Sequence, residues 1–164
     1  LRSYEKSHPD VEIVIARPAV VCGANISNFI SRYVSKSLVP LPKNLNVEGQ
    51  FIHEKDIAQA LYCLATEASP GVYNLGPPNT IASAELVEMM GGKAIYLPGG
   101  LLRAMTALAW TLRIRSLTEA PSSMIDFIEY SWVVDGNKVE QETSFRYLYT
   151  STDAIRDFTE AQTA

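Results

Sequence analysis

The sequence contains few of the residues that usually build disulfide frameworks or metal sites. It has two cysteines and two histidines in 164 residues. Cys22 and Cys63 lie in apolar segments with no paired spacing, which is typical of reduced core thiols in an intracellular protein. With only His8 and His53 available, the sequence predicts no histidine-rich metal site, and we expect no bound metal.

Excess positive charge and long apolar runs are also missing. The 14 basic and 18 acidic residues give a net charge of −4, which argues against nucleic acid as a partner. No apolar run reaches the roughly 20 residues that a membrane span requires. The first ten residues lack the apolar segment of a signal peptide, so we expect a cytoplasmic protein. They also lack a starting Met, which favours a piece of a longer enzyme.

The usual catalytic and phosphate-binding motifs are absent as well. None of the nine glycines forms G-x-G-x-x-G or a P-loop, so no phosphate cradle is predicted. There is no G-x-S-x-G elbow, and none of the eight tyrosines has a lysine four residues later. The chain therefore carries no complete catalytic constellation, and we assign it no catalytic residue.

Strand-like and helix-like segments alternate along the chain, and 47% of the residues are hydrophobic, enough for a real core. This alternation predicts an α/β fold with parallel strands. Three or four strands make a thin sheet, so we expect part of a larger one. The predicted strands are 11–16, 72–75 and 95–97, with a brief extended segment at 50–53 and a loop at 37–46. The predicted helices cover 26–34, 57–65 (stripe Ile57, Ala60, Leu61, Leu64, Ala65), 83–90, 101–112 and 121–130, with a last one that begins at Thr150.

The predicted helix 101–112 has an apolar face that can be interpreted in two ways. The face is expected to form core or the wall of a pocket. Contact with a membrane surface is the alternative, because Arg103, Arg113 and Arg115 accompany the stripe. The face consists of Leu101, Met105, Leu108, Ala109 and Leu112.

Four strings stand in order along the chain: 16–23 (ARPAVVCG), 51–60 (FIHEKDIAQA), 70–76 (PGVYNLG) and 132–135 (WVVD) followed by Lys138. In this order and spacing they resemble the C-terminal half of the extended short-chain dehydrogenase/reductases, the NAD-dependent epimerase/dehydratase family. The resemblance covers roughly residues 5 to 158.

The resemblance implies a Rossmann-like parallel sheet whose C-terminal part also builds a small α/β substrate-binding subdomain. Residues 1–164 would be that C-terminal portion, without the glycine-rich cofactor turn and the Tyr-x-x-x-Lys pair of the family. The implied cofactor is NAD or NADP, with Pro18, Ala19 and Val20 lining its nicotinamide end. The implied activity is that of an oxidoreductase or epimerase acting on a hydroxyl or carbonyl carbon, although this chain alone is expected to be inactive. The alternative is a non-catalytic binding or scaffold domain derived from this fold.

The resemblance also bears on the small-molecule substrate. Sugar-nucleotide members of the family carry an asparagine near Val20 and an arginine near Gly49, and both serve the diphosphate. Their absence here removes charge-assisted phosphate binding, so we expect an uncharged or apolar substrate contacting Gly49 and Phe51. The strand 11–16 should expose an edge, which makes a homo-oligomer possible.

Several residues near this region have simpler interpretations. Arg17 is as well suited to pairing a carboxylate as to a cofactor-side role. For His53 we expect a structural hydrogen bond, for Asp56 an interaction with the helix dipole or a cap, and for Cys22 a small buried thiol.

Overall fold

The structure is a computed structural model that describes residues 7–8, 10–27, 36–43, 47–114 and 122–163. The chain divides into two compact units. Unit 1 comprises Leu1–Ile26, Gln50–Thr80 and Val133–Ala164, and unit 2 comprises Ser27–Gly49 and Ile81–Trp132.

The described residues form eight strands and six α-helices, with one 3₁₀ turn at Ser122–Ile125. The strands are β1 (Val14–Pro18), β2 (Val20–Cys22), β3 (Leu38–Pro42), β4 (Glu48–Gly49), β5 (Phe51–His53), β6 (Gly71–Leu75), β7 (Ile81–Ala82) and β8 (Lys93–Leu97). The helices are α1 (Glu54–Thr66), α2 (Ser83–Met89), α3 (Gly99–Thr111), α4 (Asp126–Glu129), α5 (Asn137–Glu142) and α6 (Ser151–Thr163).

In unit 1 the strands pair in parallel, as the alternation of elements predicts. β1 pairs with β6 over five positions, from Val14 opposite Gly71 to Pro18 opposite Leu75. β2 pairs with β5 over three positions. Because only Ala19 separates β1 from β2, this nearly continuous extended segment changes its partner at that residue. Compared with the predicted strand 11–16, β1 begins three residues later and ends two residues later.

Helix α1 covers the core of unit 1. Its buried residues are Asp56, Ala60, Cys63 and Leu64. The predicted stripe is only partly correct, because Leu61 is 47% exposed and Cys63 takes its place in the core. The core cluster consists of Ile52, Ala60, Cys63, Leu64, Tyr73, Leu75, Val139 and Phe145.

The last helix begins as predicted. The Thr150 N–H donates to Asp153 Oδ2 at 2.9 Å, and the Asp153 N–H donates to Thr150 Oγ1 at 3.1 Å. This reciprocal capping box satisfies backbone donors that the first turn of α6 leaves without helical partners. Ile155 and Phe158 are buried beneath it, as the sequence predicts.

In unit 2 the structure corrects the predicted loop at 37–46. Residues Leu38–Pro42 form β3, which pairs in parallel with β8. Val39 and Leu41 alternate with two prolines and are buried against Val87. Proline lacks a backbone N–H, but an edge strand tolerates it, so the prolines conceal a strand pattern without preventing it. The other pair of unit 2, β4 with β7, is antiparallel.

Helix α3 forms where predicted but with another face inward. Its buried residues are Leu102 and Ala109. Ala109 is therefore the one residue of the predicted face that is buried. Leu101, Met105, Leu108 and Leu112 are each about half exposed or more.

The α/β fold class is confirmed. Most of the predicted helix 26–34 lies outside the described residues, and α5 is a helix that the sequence analysis missed. In the ranges that the structure describes, no helix is long and apolar enough to cross a membrane.

Candidate functional site

The segment Pro18–Val20, predicted to line a cofactor, lies at the carboxyl end of β1. In open α/β sheets this is the edge where ligands bind. Pro18 is exposed, and Ala19 and Val20 are half-buried, so the segment has surface that a ligand could contact. The Ala19 N–H, however, donates to the Leu75 carbonyl at 2.7 Å. That donor is already used within the protein, so a carboxamide would have to use other groups of the segment.

The carboxyl end of the neighbouring strand β6 is fixed by a tyrosine. The Tyr147 hydroxyl accepts a hydrogen bond from the Gly76 N–H at 3.0 Å and donates to the Gly136 carbonyl at 3.3 Å. Burial raises the pKa of Tyr147 to about 12. The hydroxyl therefore stays protonated at neutral pH and links the backbones of Gly76 and Gly136 by hydrogen bonds.

Gln50 is a buried polar side chain at the same end of unit 1. Its Nε2 donates to the Pro77 carbonyl at 2.5 Å and to the Val134 carbonyl at 3.2 Å, and its Oε1 accepts from the Val134 N–H at 2.9 Å. A Cβ on Gly76 would collide with this amide, so glycine is required there. Gln50 thus links Pro77, which follows β6, to Val134, near the start of the last segment of unit 1.

His53 has the structural role that the sequence analysis expected. Its Nδ1 accepts the Lys55 N–H at 3.1 Å and so caps α1, while Nε2 lies 3.0 Å from Asp157 Oδ2. These partners place the ring proton on Nε2. The ring is fully buried and stacks on Tyr149 at a centroid distance of 3.8 Å. Both ring nitrogens therefore have hydrogen-bond partners within unit 1.

The turn after β2 is packed against the start of α1. Gly23 has φ +152°, which favours glycine, and a Cβ there would lie 2.7 Å from Glu54 Cγ. The Glu54 carboxylate accepts from Asn25 Nδ2 at 2.7 Å and from its backbone N–H at 3.1 Å. Burial raises the pKa of the preceding Cys22 to about 11, so its thiol is inert at neutral pH.

Asp56 does more than interact with a helix dipole. Its carboxylate accepts the backbone N–H groups of Leu148 and Tyr149 at 3.1–3.3 Å. Burial raises its pKa, and these two hydrogen bonds oppose the rise. Asp56 therefore positions the chain that enters α6.

The two residues predicted to contact substrate are both buried, and they lie in different units. Phe51 is 2% exposed, and its N–H donates to Ser151 Oγ at 3.1 Å. Gly49 pairs with Trp132, and a Cβ on Gly49 would lie 2.5 Å from the Trp132 ring. Glycine at position 49 thus has a packing role in unit 2 besides the predicted substrate role, which stays a prediction.

Sequence reasoning missed most of the groups that fix the carboxyl ends of these strands. Gln50, Tyr147 and Asp157 act through contacts with residues far away in sequence, so no local pattern indicates them. The described residues contain no cluster of three His, Cys, Asp or Glu side chains that could hold a metal ion.

Parallel strand pairs covered by helices define an α/β fold. Residues 1–76 match the model of the NAD dependent epimerase/dehydratase family. This match supports the resemblance over the part of the chain that holds the first three strings, whereas the fourth string lies beyond residue 76.

Relatives and solved structures extend the likeness to the rest of the chain. Uncharacterized proteins of Mycobacterium bovis and Mycobacterium tuberculosis are 24% identical over 158 residues, 96% of this chain and 41% of their own. A UDP-glucose 4-epimerase of Thermotoga maritima, solved with UDP-glucose, has a TM-score of 0.67 at 10% identity over 99% of this chain and 49% of its own. A dTDP-glucose 4,6-dehydratase of Bacillus anthracis, solved with NAD, has a TM-score of 0.67 at 15% identity over 98% and 47%.

These comparisons show the fold and its extent. The chain spans less than half the length of the curated relatives and about half the length of the solved structures. The fold is thus confirmed as part of a Rossmann-like fold. The dehydratase contains NAD, which belongs to the cofactor class that the family resemblance implies.

Proposed function

We propose that residues 1–164 form the substrate-side part of an NAD(P)-dependent oxidoreductase or epimerase that acts on a hydroxyl or carbonyl carbon. The observation that carries this proposal is the family match over residues 1–76, because it includes β1 and the segment Pro18–Val20 at its carboxyl end. In this reading the chain is the C-terminal portion of the enzyme, and the cofactor-binding half lies in another part of the protein.

The residues present suit one end of a nicotinamide cofactor. Pro18 is exposed and Val20 is half-buried, which leaves apolar surface for the nicotinamide face. Nothing in the sequence of this chain provides the glycine turn that holds a pyrophosphate at a helix N-terminus. The cofactor, when bound, would take a hydride from the substrate carbon or return one to it, with the hydroxyl proton passing to a base outside this chain.

An uncharged or apolar substrate is the finer form of the proposal. It rests on Val20 and Gly49, which stand where sugar-nucleotide members have polar residues for the diphosphate. A diphosphate placed against such residues would lose its hydration without gaining charged partners, which is costly. The two solved relatives are named for UDP-glucose and dTDP-glucose, so they give this finer form no support. A small-molecule substrate and a cytoplasmic location belong to the proposal as well.

The test is an activity panel on a polypeptide of the relatives' length that contains this chain. The proposal expects nicotinamide-dependent turnover of an alcohol or ketone, and no turnover by residues 1–164 alone. The same panel decides the finer form, since a UDP-sugar with the highest kcat/KM would contradict the apolar substrate. The alternative, a non-catalytic scaffold domain, expects no nicotinamide-dependent turnover by the longer polypeptide.

A further inference from the structure

Helix α3 presents an apolar stripe that nothing in the described part of the chain covers. Leu101, Met105, Leu108 and Leu112 are 49%, 52%, 61% and 60% exposed. Their spacing of four, three and four residues places them on one side of the helix. The buried Leu102 and Ala109 lie about 70–90° further around the helix, so α3 packs on the rest of unit 2 along the neighbouring side and leaves the stripe exposed.

Within the stretch of sequence that contains α3, the charged residues have one sign. Between Glu88 and Glu119 the sequence has no acidic residue and four basic ones, Lys93, Arg103, Arg113 and Arg115. Arg103 pairs with Asp126 and Glu129, and so it serves unit 2. Arg113 is exposed at the C-terminal end of α3, directly beside Leu112. An apolar face with basic residues at its end is typical of helices that lie on a lipid surface.

The distribution of charge between the units agrees with this. Unit 1 contains twelve acidic and seven basic residues, whereas unit 2 contains six acidic and seven basic ones. The negative charge of the protein is therefore carried by the unit that lacks α3. An anionic surface would attract unit 2 in preference to unit 1.

A second copy of this chain fits the stripe less well. Four half-exposed side chains offer roughly 400 Å² of mostly apolar area, so two facing stripes would bury at most about 800 Å². Stable protein–protein interfaces bury about 1,200 Å² or more. Insertion of the stripe into a bilayer surface has no such requirement for a matching partner, because the lipid conforms to the helix.

We propose that α3 docks on the surface of an anionic phospholipid bilayer. Leu101, Met105, Leu108 and Leu112 enter the boundary between headgroups and acyl chains, and Arg113 contacts lipid phosphates. The helix lies in the plane of the surface and does not cross the membrane. The stripe belongs to unit 2 and the segment Pro18–Val20 to unit 1, and the proposal does not depend on the proposed enzymatic role.

Vesicle flotation of residues 1–164 tests the proposal. The probes are phosphatidylcholine vesicles with about one third phosphatidylglycerol, and vesicles of phosphatidylcholine alone. The chain should float with the anionic vesicles and much less with the neutral ones. Leu108→Glu should weaken binding by at least about tenfold, because it places a charge in the apolar boundary.

A matched control shows whether loss of vesicle binding is specific to the α3 stripe. Leu61→Glu alters a leucine of similar exposure, 47%, on helix α1 of unit 1, and it should leave flotation unchanged. Circular dichroism of both variants establishes that they are folded. Absence of flotation with anionic vesicles would overturn the proposal, as would equal loss in both variants. Self-association that Leu108→Glu abolishes, without vesicle binding, would assign the stripe to a second copy and overturn it too.

Discussion

Replacing Gly49 by alanine tests whether position 49 requires glycine because the Trp132 ring packs directly against it. A Cβ at this position would lie 2.5 Å from Trp132 Cζ2 and 2.6 Å from Cη2, closer than real Cβ contacts. The ring cannot easily move, because its Nε1 donates to the Phe127 carbonyl at 2.8 Å and the Trp132 N–H donates to the Glu48 carbonyl at 3.1 Å. Overpacking of this kind costs about 1–3 kcal/mol.

Part of that cost is offset, since replacing glycine by alanine lowers the entropy of the unfolded chain by about 0.4–1 kcal/mol. We therefore expect Gly49→Ala to reduce the free energy of unfolding of unit 2 by about 1–2 kcal/mol. Urea titration followed by tryptophan fluorescence measures this, because Trp110 and Trp132 both belong to unit 2.

Gly100→Ala is the matched control. Gly100 lies in the first turn of α3, and a Cβ there has no heavy atom within 4 Å. The same substitution should leave unit 2 unchanged or stabilise it by up to about 1 kcal/mol. If Gly49→Ala were as stable as the unmutated chain, packing against Trp132 would not explain the glycine, and the substrate interpretation of position 49 would gain weight.

Three further predictions concern unit 1. Gln50→Leu should lower the free energy of unfolding by about 2–4 kcal/mol, because it leaves buried backbone groups without partners. The control Gln59→Leu, on the exposed surface of α1, should change the free energy of unfolding by less than about 0.5 kcal/mol. Equal effects of the two substitutions in a urea titration would refute the role of Gln50. The hydrogen bond from His53 lowers the pKa of Asp157 below its ordinary 3.8, so its stabilising contribution is present above that value and is lost as pH falls through the lowered pKa. Asp157→Asn should therefore destabilise the protein at pH 7 and have little effect at pH 2, and an unchanged difference between the two pH values would contradict this. Since β1 pairs only with β6 in the described residues, the chain should self-associate through strand edges, and a clean monomer in sedimentation at high concentration would count against it.

In unit 1 local patterns in the sequence predict α1, β6 and the start of α6 well, but they miss α5 and place β1 too early. The capping box at Thr150 and the extended entry into α1 are short-range features, and the structure confirms both. The family strings added an expectation that periodicity could not give, namely that β1 ends at a ligand-binding edge; this stays a prediction.

The predictions that proved wrong concern features that tertiary packing determines. Two prolines concealed β3, although Val39 and Leu41 already alternate toward a core. In α3 almost every residue is apolar, so the pattern predicted a helix but could not select its buried face. The fixing of strand ends by Gln50, Tyr147 and Asp157 depends on contacts across many residues of sequence. Such contacts leave no local pattern.

We propose that this chain supplies the nicotinamide end of a cofactor site but not the glycine turn that holds the pyrophosphate. Titration of ¹⁵N-labelled residues 1–164 with NADH, followed by two-dimensional NMR, tests this proposal most directly. We predict no saturation at micromolar NADH, because the glycine turn is not in this sequence, and amide shifts at Ala19 and Val20 at millimolar NADH. Saturation at micromolar NADH, or millimolar NADH that leaves Ala19 and Val20 unshifted, would contradict the account.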